Sequence, residues 1–332
     1  KKAYRESKNI TEYYDDLTGE KPQEFYAPGK PQSPDMAQWT ANAEKLSALF
    51  RSYPEIKDSG VHFYFKSENT RFLNSESAAF WKDTSSGEMT VTARIQAKDG
   101  FELQRSFSLP FLSLKAAPSF ETLYAKAEEF AEEMKRMAGA VRMEEPYVGP
   151  VLLEGRASAA LFDDLFVENV SDPREIWAEE ARYSRRPGKL IERAGMRVLP
   201  PFLSVYDDPS LKQYDGKPLA GYYEVDDEGI AAQRVELVKR GRLNDFYMSR
   251  AAVKGKDKSN GHGRGGFHDF PAGRPGNVIV SADENSGKAL AQAAVRRKFL
   301  QLCREAELDY GIAVKSFSLG GTFFAYKVYV KD

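Results

Sequence analysis

Few side chains in this sequence have the type and spacing for chemistry. They are His62, His262 and His268, the single Cys303, and two acidic corners, Asp207-Asp208 and Asp226-Asp227-Glu228. A catalytic zinc needs three protein ligands around an open position, usually two histidines one helical turn apart plus a third group. His62 lies far from the other two, which stand in a glycine-rich loop, so no helix face carries a pair. Neither a metal nor another cofactor is expected. Asp226 to Gly229 lacks the alternating oxygens of a calcium loop, which are spread over about twelve residues. A tight turn is expected instead, its aspartates bonding nearby N–H groups and Gly229 at positive φ. Asp207-Asp208-Pro209 is expected to end a strand, because the residue before proline is driven to an extended conformation. No Gly-x-Ser-x-Gly elbow is present. Cys303 shares an apolar stripe with Val295, Phe299, Leu302 and Ala306 and reads as a core residue. No catalytic residue is assigned.

The loop SNGHGRGGFHDFPAGRPGN, 259–277, has two readings. Its glycines would let the backbone approach a ligand, with Arg264 pairing with a carboxylate or carbonyl. Alternatively it is a mobile connector. On the first reading the substrate-binding candidates are Gly261, His262, Gly263, Arg264 and His268. The Lys-Ser/Thr ending of a phosphate-binding loop is missing.

Positioning these residues takes two cores, since 332 residues exceed the roughly 250–300 at which single cores stop growing. Residues 1–35 are polar and Pro-rich and read as an extended arm. An N-terminal domain is expected over 36–145, with a helix from Met36 to Arg51 and strands at Val61–Phe65, Thr70–Ser75, Met89–Ala97 and Phe101–Leu109. Asp99-Gly100 makes the last two a hairpin. A helix from Ser119 to Ala140 has an apolar stripe of Phe120, Leu123, Ala127, Phe130, Met134 and Met137. The C-terminal domain, 146–332, is expected to be strand-rich. It opens with a strand at Val151–Leu153 and a helix through Ala157 to Phe166, and a long helix runs from Ser286 to Leu308. Final strands are centred on Ile312 and Tyr326. The class is α+β with mixed or antiparallel sheets.

Charge is balanced, 48 basic against 49 acidic residues, so no basic footprint for nucleic acid is expected. No apolar run approaches the roughly 20 residues of a membrane span. A single cysteine excludes an intrachain disulfide framework. The chain opens with Lys1-Lys2, which suggests a processed or trimmed product, cytoplasmic or exported after signal removal.

The order of short strands, acidic corners and glycine loop from Ser204 to Gly265 resembles the C-terminal domain of the TldD/PmbA family, bacterial and archaeal proteins related to metallopeptidases. Ser259, Gly261, Gly263 and Arg264 match its Ser-x-Gly-x-Gly-Arg pattern, and Tyr147 to Gly155 resembles its opening strand. Thr70 to Glu76 is similar to its Asn-Ser-Glu-Gly strand, with Ser77 in place of glycine. Catalytic members of the family carry a helical His-Glu-x-x-x-His zinc motif, which the branch this chain resembles often lacks, and here Leu152 to Ala160 supplies only Glu154. A family cysteine ligand would fall beyond Asp332. The resemblance further implies paired subunits, one with zinc and one without, that handle peptides. Three functions are therefore carried forward. The first is a metal-free protein that binds extended peptide or supports a zinc-bearing partner, as a homodimer or heterodimer. The second is an active metallopeptidase whose metal site is completed between chains. The third is a scaffold without peptide handling.

Overall fold

The structure, a computed structural model, describes residues 17–171, 187–253, 255–265, 270–317 and 323–330. The chain divides into two units, one of residues 26–71 and 81–149 and a larger one of 1–25, 72–80 and 150–332. Both combine helices with mixed or antiparallel sheets, an α+β fold.

The smaller unit is built on a four-stranded sheet. β1 (Glu24–Ala27) and β2 (Ile56–Leu73) flank β3 (Ala79–Gln96), and β4 (Glu102–Phe111) also pairs with β3. The expected strands at Val61 and Thr70 are one continuous strand of 18 residues. The polar run Lys66 to Asn69 suggests a break by composition, but an exposed edge tolerates it. Along β3, Met89, Val91, Ala93 and Ile95 are buried on alternate positions, the period of a strand with one face on a core. Gly100, at φ +84°, makes the turn into β4.

Two helices cover the buried face. α1 (Met36–Leu49) starts where the Asp35 carboxylate accepts the amides of Ala37 and Gln38. Its Trp39 ring lies 5.1 Å from Phe63 and 5.9 Å from Phe111, centroid to centroid. α2 (Phe120–Ala138) is capped by Ser119 and buries Leu123, Ala127, Phe130, Met134 and Met137. Phe120 of the expected stripe is half-buried at the first turn.

In the larger unit β5 (Val151–Leu153) leads through Gly155 into α3 (Arg156–Phe162), which continues as a π-helical turn over Asp163–Val167. β6 (Leu203–Asp207) follows, then the two-residue ladder of β7 (Gln213–Tyr214) and β8 (Lys217–Pro218). β9 (Val235–Lys239) and β10 (Arg242–Leu243) come next, and β11 (Gly263–Arg264) pairs with β12 (Ala272–Gly273). β13 (Val278–Ala282) completes an antiparallel sheet of order β10-β9-β6-β13. Its core joins Val205, Leu237, Val238, Leu243, Tyr247 and Met248 to Phe166 and Val170.

α4 (Gln292–Glu305) is shorter than the sequence suggests. A 3-10 turn at Glu284–Ser286 ends on Gly287 at φ +65°, so the chain cannot continue as helix from Ser286. β14 (Tyr310–Phe317) pairs with β15 (Phe323–Tyr329) antiparallel and with β5 in parallel. Phe299 and Cys303 of α4 pack on Ala313 and Val328, whereas Leu302 is 39% exposed and leaves the expected stripe. Among the described residues no helix is long and apolar enough to cross a membrane.

Candidate functional site

The acidic corners and the glycine loop, far apart in sequence, come together in the larger unit. Asp207 ends β6 and is fully buried. Its Oδ1 accepts the Asn277 amide at 2.8 Å and its Oδ2 the Gly276 amide at 2.9 Å. The Asp208 carboxylate accepts the Ser210 amide and hydroxyl, at 3.1 and 2.6 Å, in the following turn. Asn277 ties this corner to the rest of the unit. Its Oδ1 accepts the Gly221 amide at 3.0 Å, and its Nδ2 donates to the Asp208 and Leu211 carbonyls, each at 3.1 Å.

The second corner grips the start of the loop. Asp226, fully buried, accepts the Glu228 and Ile230 amides on Oδ1 and the Gly263 amide on Oδ2, at 2.9, 2.8 and 2.9 Å. Gly229 closes the turn at φ +83°. Asp227 accepts from Arg264 Nε at 3.2 Å and from the Gly265 amide at 3.0 Å. Glu228 turns inward and accepts the Arg250 amide at 2.6 Å. Desolvation pushes the Asp226 carboxyl up to about 6 and that of Glu228 up to about 7, against the opposing pull of those amides.

His262 is completely buried beside these acids. Asn260 Oδ1 accepts the Met248 amide and its Nδ2 donates to the Phe246 carbonyl, which fixes the amide's orientation. The His262 Nδ1, 2.9 Å from the Asn260 carbonyl oxygen and 3.1 Å from Oδ1, therefore faces two acceptors and carries the proton. Nε2 stands 3.5 Å from Asp207 Oδ1, a contact that is attractive only when that nitrogen is also protonated. Tyr247 lies beneath, its ring centroid 5.2 Å from the imidazole. Burial, and then the Asp207 charge, hold its hydroxyl pKa well above the usual range.

Of the loop residues singled out by sequence, Gly261, His262 and Gly263 are thus buried. Arg264 is half-buried, its guanidinium 4.3 Å from the Tyr223 ring centre, and His268 lies outside the described residues. The Tyr223 hydroxyl donates to the Gly261 carbonyl at 2.8 Å. Carboxylates and side-chain amides here hold backbone amides, which fixes the path of the described part of the loop. Asn260, Asn277, Tyr247 and Arg250 escaped sequence analysis. Each is a single polar residue with no spacing signal. A hint lay in Asn277, placed between Gly276 and the apolar strand that follows.

Zinc does not fit the described residues. The helix that follows β5 offers Ala157, Ser158, Ala159 and Ala160, and the Ser158 hydroxyl donates back to the Gly155 carbonyl at 2.7 Å. Glu154, just before it, accepts from the Tyr326 hydroxyl at 2.8 Å. Among the described residues no three His, Cys, Asp or Glu side chains group to hold a metal ion.

Residues 146–321, more than half of the chain, match the PmbA/TldA metallopeptidase C-terminal domain. The chain belongs to the TldD/PmbA family. Solved structures share the fold at low identity. A protein from Thermotoga maritima, described as a candidate modulator of a DNA gyrase, superposes with a TM-score of 0.60 at 13% identity, over 93% of this chain and 68% of that one. A similarly described Bacteroides thetaiotaomicron protein gives 0.57 at 14%, over 88% and 60%. TldE from Thermococcus kodakarensis gives 0.58 at 14%, over 93% and 64%. This member of the TldD/PmbA family thus spans 60 to 68% of their lengths. No curated protein matches it.

Proposed function

We propose that this chain is a metal-free TldD/PmbA protein that binds extended peptide, or supports a zinc-bearing family partner that cleaves it. The observation that carries this reading is the β5–α3 segment, where a metallopeptidase domain presents alanines and a serine in place of imidazoles. With no ligand set among the described residues, hydrolysis is left to a partner and this chain contributes binding. The place most suited to peptide is the outer edge of β13, which pairs on one side only among the described residues and carries Val280 at 44% exposure. An extended peptide adds to such an edge through main-chain hydrogen bonds. Arg264 and the buried glycines keep a supporting role, because their polar groups are already engaged. The gyrase description belongs to the two relatives that carry it. At their identity the likeness extends to the fold.

Elemental analysis of the full-length protein tests the metal-free state, and about one zinc per chain would overturn it. Fluorescence anisotropy with a labelled unfolded peptide tests binding, which Val280→Asp is expected to weaken several-fold. Capture from the native host should recover a His-Glu-x-x-x-His partner. Neither peptide binding nor such a partner would leave a scaffold.

A further inference from the structure

The longest unpaired backbone among the described residues is the outer edge of β2. Among the described residues this strand ends its sheet, with β3 on one side and no strand on the other. Open edges of this length pair, are covered, or are blunted by proline, bulges or charge. From Ser59 to Arg71 the strand has no proline. The charges at its centre cancel, Lys66 Nζ lying 2.7 Å from Glu68 Oε1. One face carries Phe63 and Phe65 against Trp39, and the other exposes His62, Tyr64, Lys66 and Glu68.

We propose that two copies of this chain pair antiparallel through β2, with Phe65 on the twofold axis. Residues opposite each other in an antiparallel ladder share a face, so the axis must fall on a residue and not between two. Charge then selects the register. An axis on Phe65 sets His62 opposite Glu68 and Tyr64 opposite Lys66, and the ladder runs from Lys57 to Leu73. An axis on Tyr64 would oppose Lys57 to Arg71 and His62 to Lys66. One on Phe63 opposes Asp58 to Glu68, and one on Lys66 sets that lysine against itself. Moving the axis to Ser67 avoids like charges but shortens the ladder to Val61–Leu73 and sets Phe63 against Arg71. Like charges directly opposite destabilise a ladder, and opposite charges or aromatic pairs support it. With the axis on Phe65 the two rings meet and extend the aromatic layer built on Trp39.

The pairing stands on the sheet edge alone and is independent of peptide handling. It is tested in the full-length protein by the double variant His62→Cys/Glu68→Cys. Six residues along one strand span about 20 Å, too far for a disulfide within a copy, whereas positions opposite each other lie within bridging range. The expected result is a covalent dimer on a non-reducing gel, absent from either single variant; the native Cys303 is buried. In sedimentation, Glu68→Lys should weaken dimerisation at least tenfold, and His62→Glu with Glu68→Lys should restore it. A monomer at tens of micromolar would overturn the proposal. So would a dimer that neither crosslinks at these positions nor responds to Glu68→Lys.

Discussion

Gly261 runs beneath Ala231 with no room for a side chain: a β-carbon on Gly261 would stand 2.2 Å from the Ala231 carbonyl oxygen. That contact fixes the character of the loop's first half. The next two residues are held through their amides, His262 by the Met248 carbonyl and Gly263 by Asp226, so the chain from Gly261 to Gly263 is an interior crossing. Its glycines serve close approach of backbone to backbone. They are not there for mobility.

Gly261→Ala is expected to lower stability by roughly 2–4 kcal/mol, because it adds a steric clash to a left-handed residue. Gly255 has nearly the same backbone angle, φ +74° against +71°, but open space around its β-carbon position. Gly255→Ala should cost only about 1 kcal/mol. Chemical denaturation of both variants separates conformation from clash, and equal losses would refute the close approach.

Stability should fall between about pH 4 and 7. Asp226, raised to about 6, and Glu228, raised to about 7, hold their protons more tightly in the folded chain than in the unfolded one. Their contribution is complete below the ordinary carboxylate range of about 4 and is lost as pH rises through 6 and 7. Glu228→Gln keeps an acceptor for the Arg250 amide and removes one titration. The loss over this window, roughly 1–3 kcal/mol per group, should shrink by about half. Melting temperatures measured at several pH values decide it, and an unchanged slope would exclude Glu228.

Much of the architecture was legible because it is periodic. α2 announces itself by its apolar stripe, and the β3–β4 hairpin by Asp99-Gly100. The sequence overextends α4 because the polar stretch before Gln292 is compatible with a helix face, and the left-handed turn that stops it shows only as the single Gly287. At the site, the corners were visible as acidic clusters but their partners were not. Asp207 finds its amides about seventy residues away, at Gly276 and Asn277, and nothing in local spacing encodes that pairing. Such long-range satisfaction of buried carboxylates becomes visible only in three dimensions.

Asn277→Asp should be more damaging than Asn277→Ala. The aspartate keeps an acceptor for the Gly221 amide but loses both donors, leaving the Asp208 and Leu211 carbonyls facing a carboxylate beside buried Asp207. About 3–5 kcal/mol is expected for the aspartate and about 2–3 for alanine. Denaturation midpoints at pH 8 give the comparison, and the reverse order would mean that packing at Asn277 outweighs its hydrogen bonds.

Arg250 offers the last test, because it joins the corner to the tip of the β2–β3 hairpin. Its Nη2 lies 2.6 Å from Glu76 Oε2 and donates to the Thr18 carbonyl at 2.8 Å, while its own amide serves Glu228. The guanidinium is almost wholly buried and the Glu76 side chain is 45% exposed. Removing the carboxylate leaves a buried cation short of its counter-charge, whereas removing both partners leaves none. Glu76→Gln should therefore cost about 1–3 kcal/mol and Arg250→Met about 3–5, since the latter also frees the Thr18 carbonyl and the Glu76 carboxylate. The double variant should cost less than the sum of the two. Additivity in a double-mutant cycle would mean the pair contributes nothing through its charge, and that Arg250 acts only through Thr18 and packing.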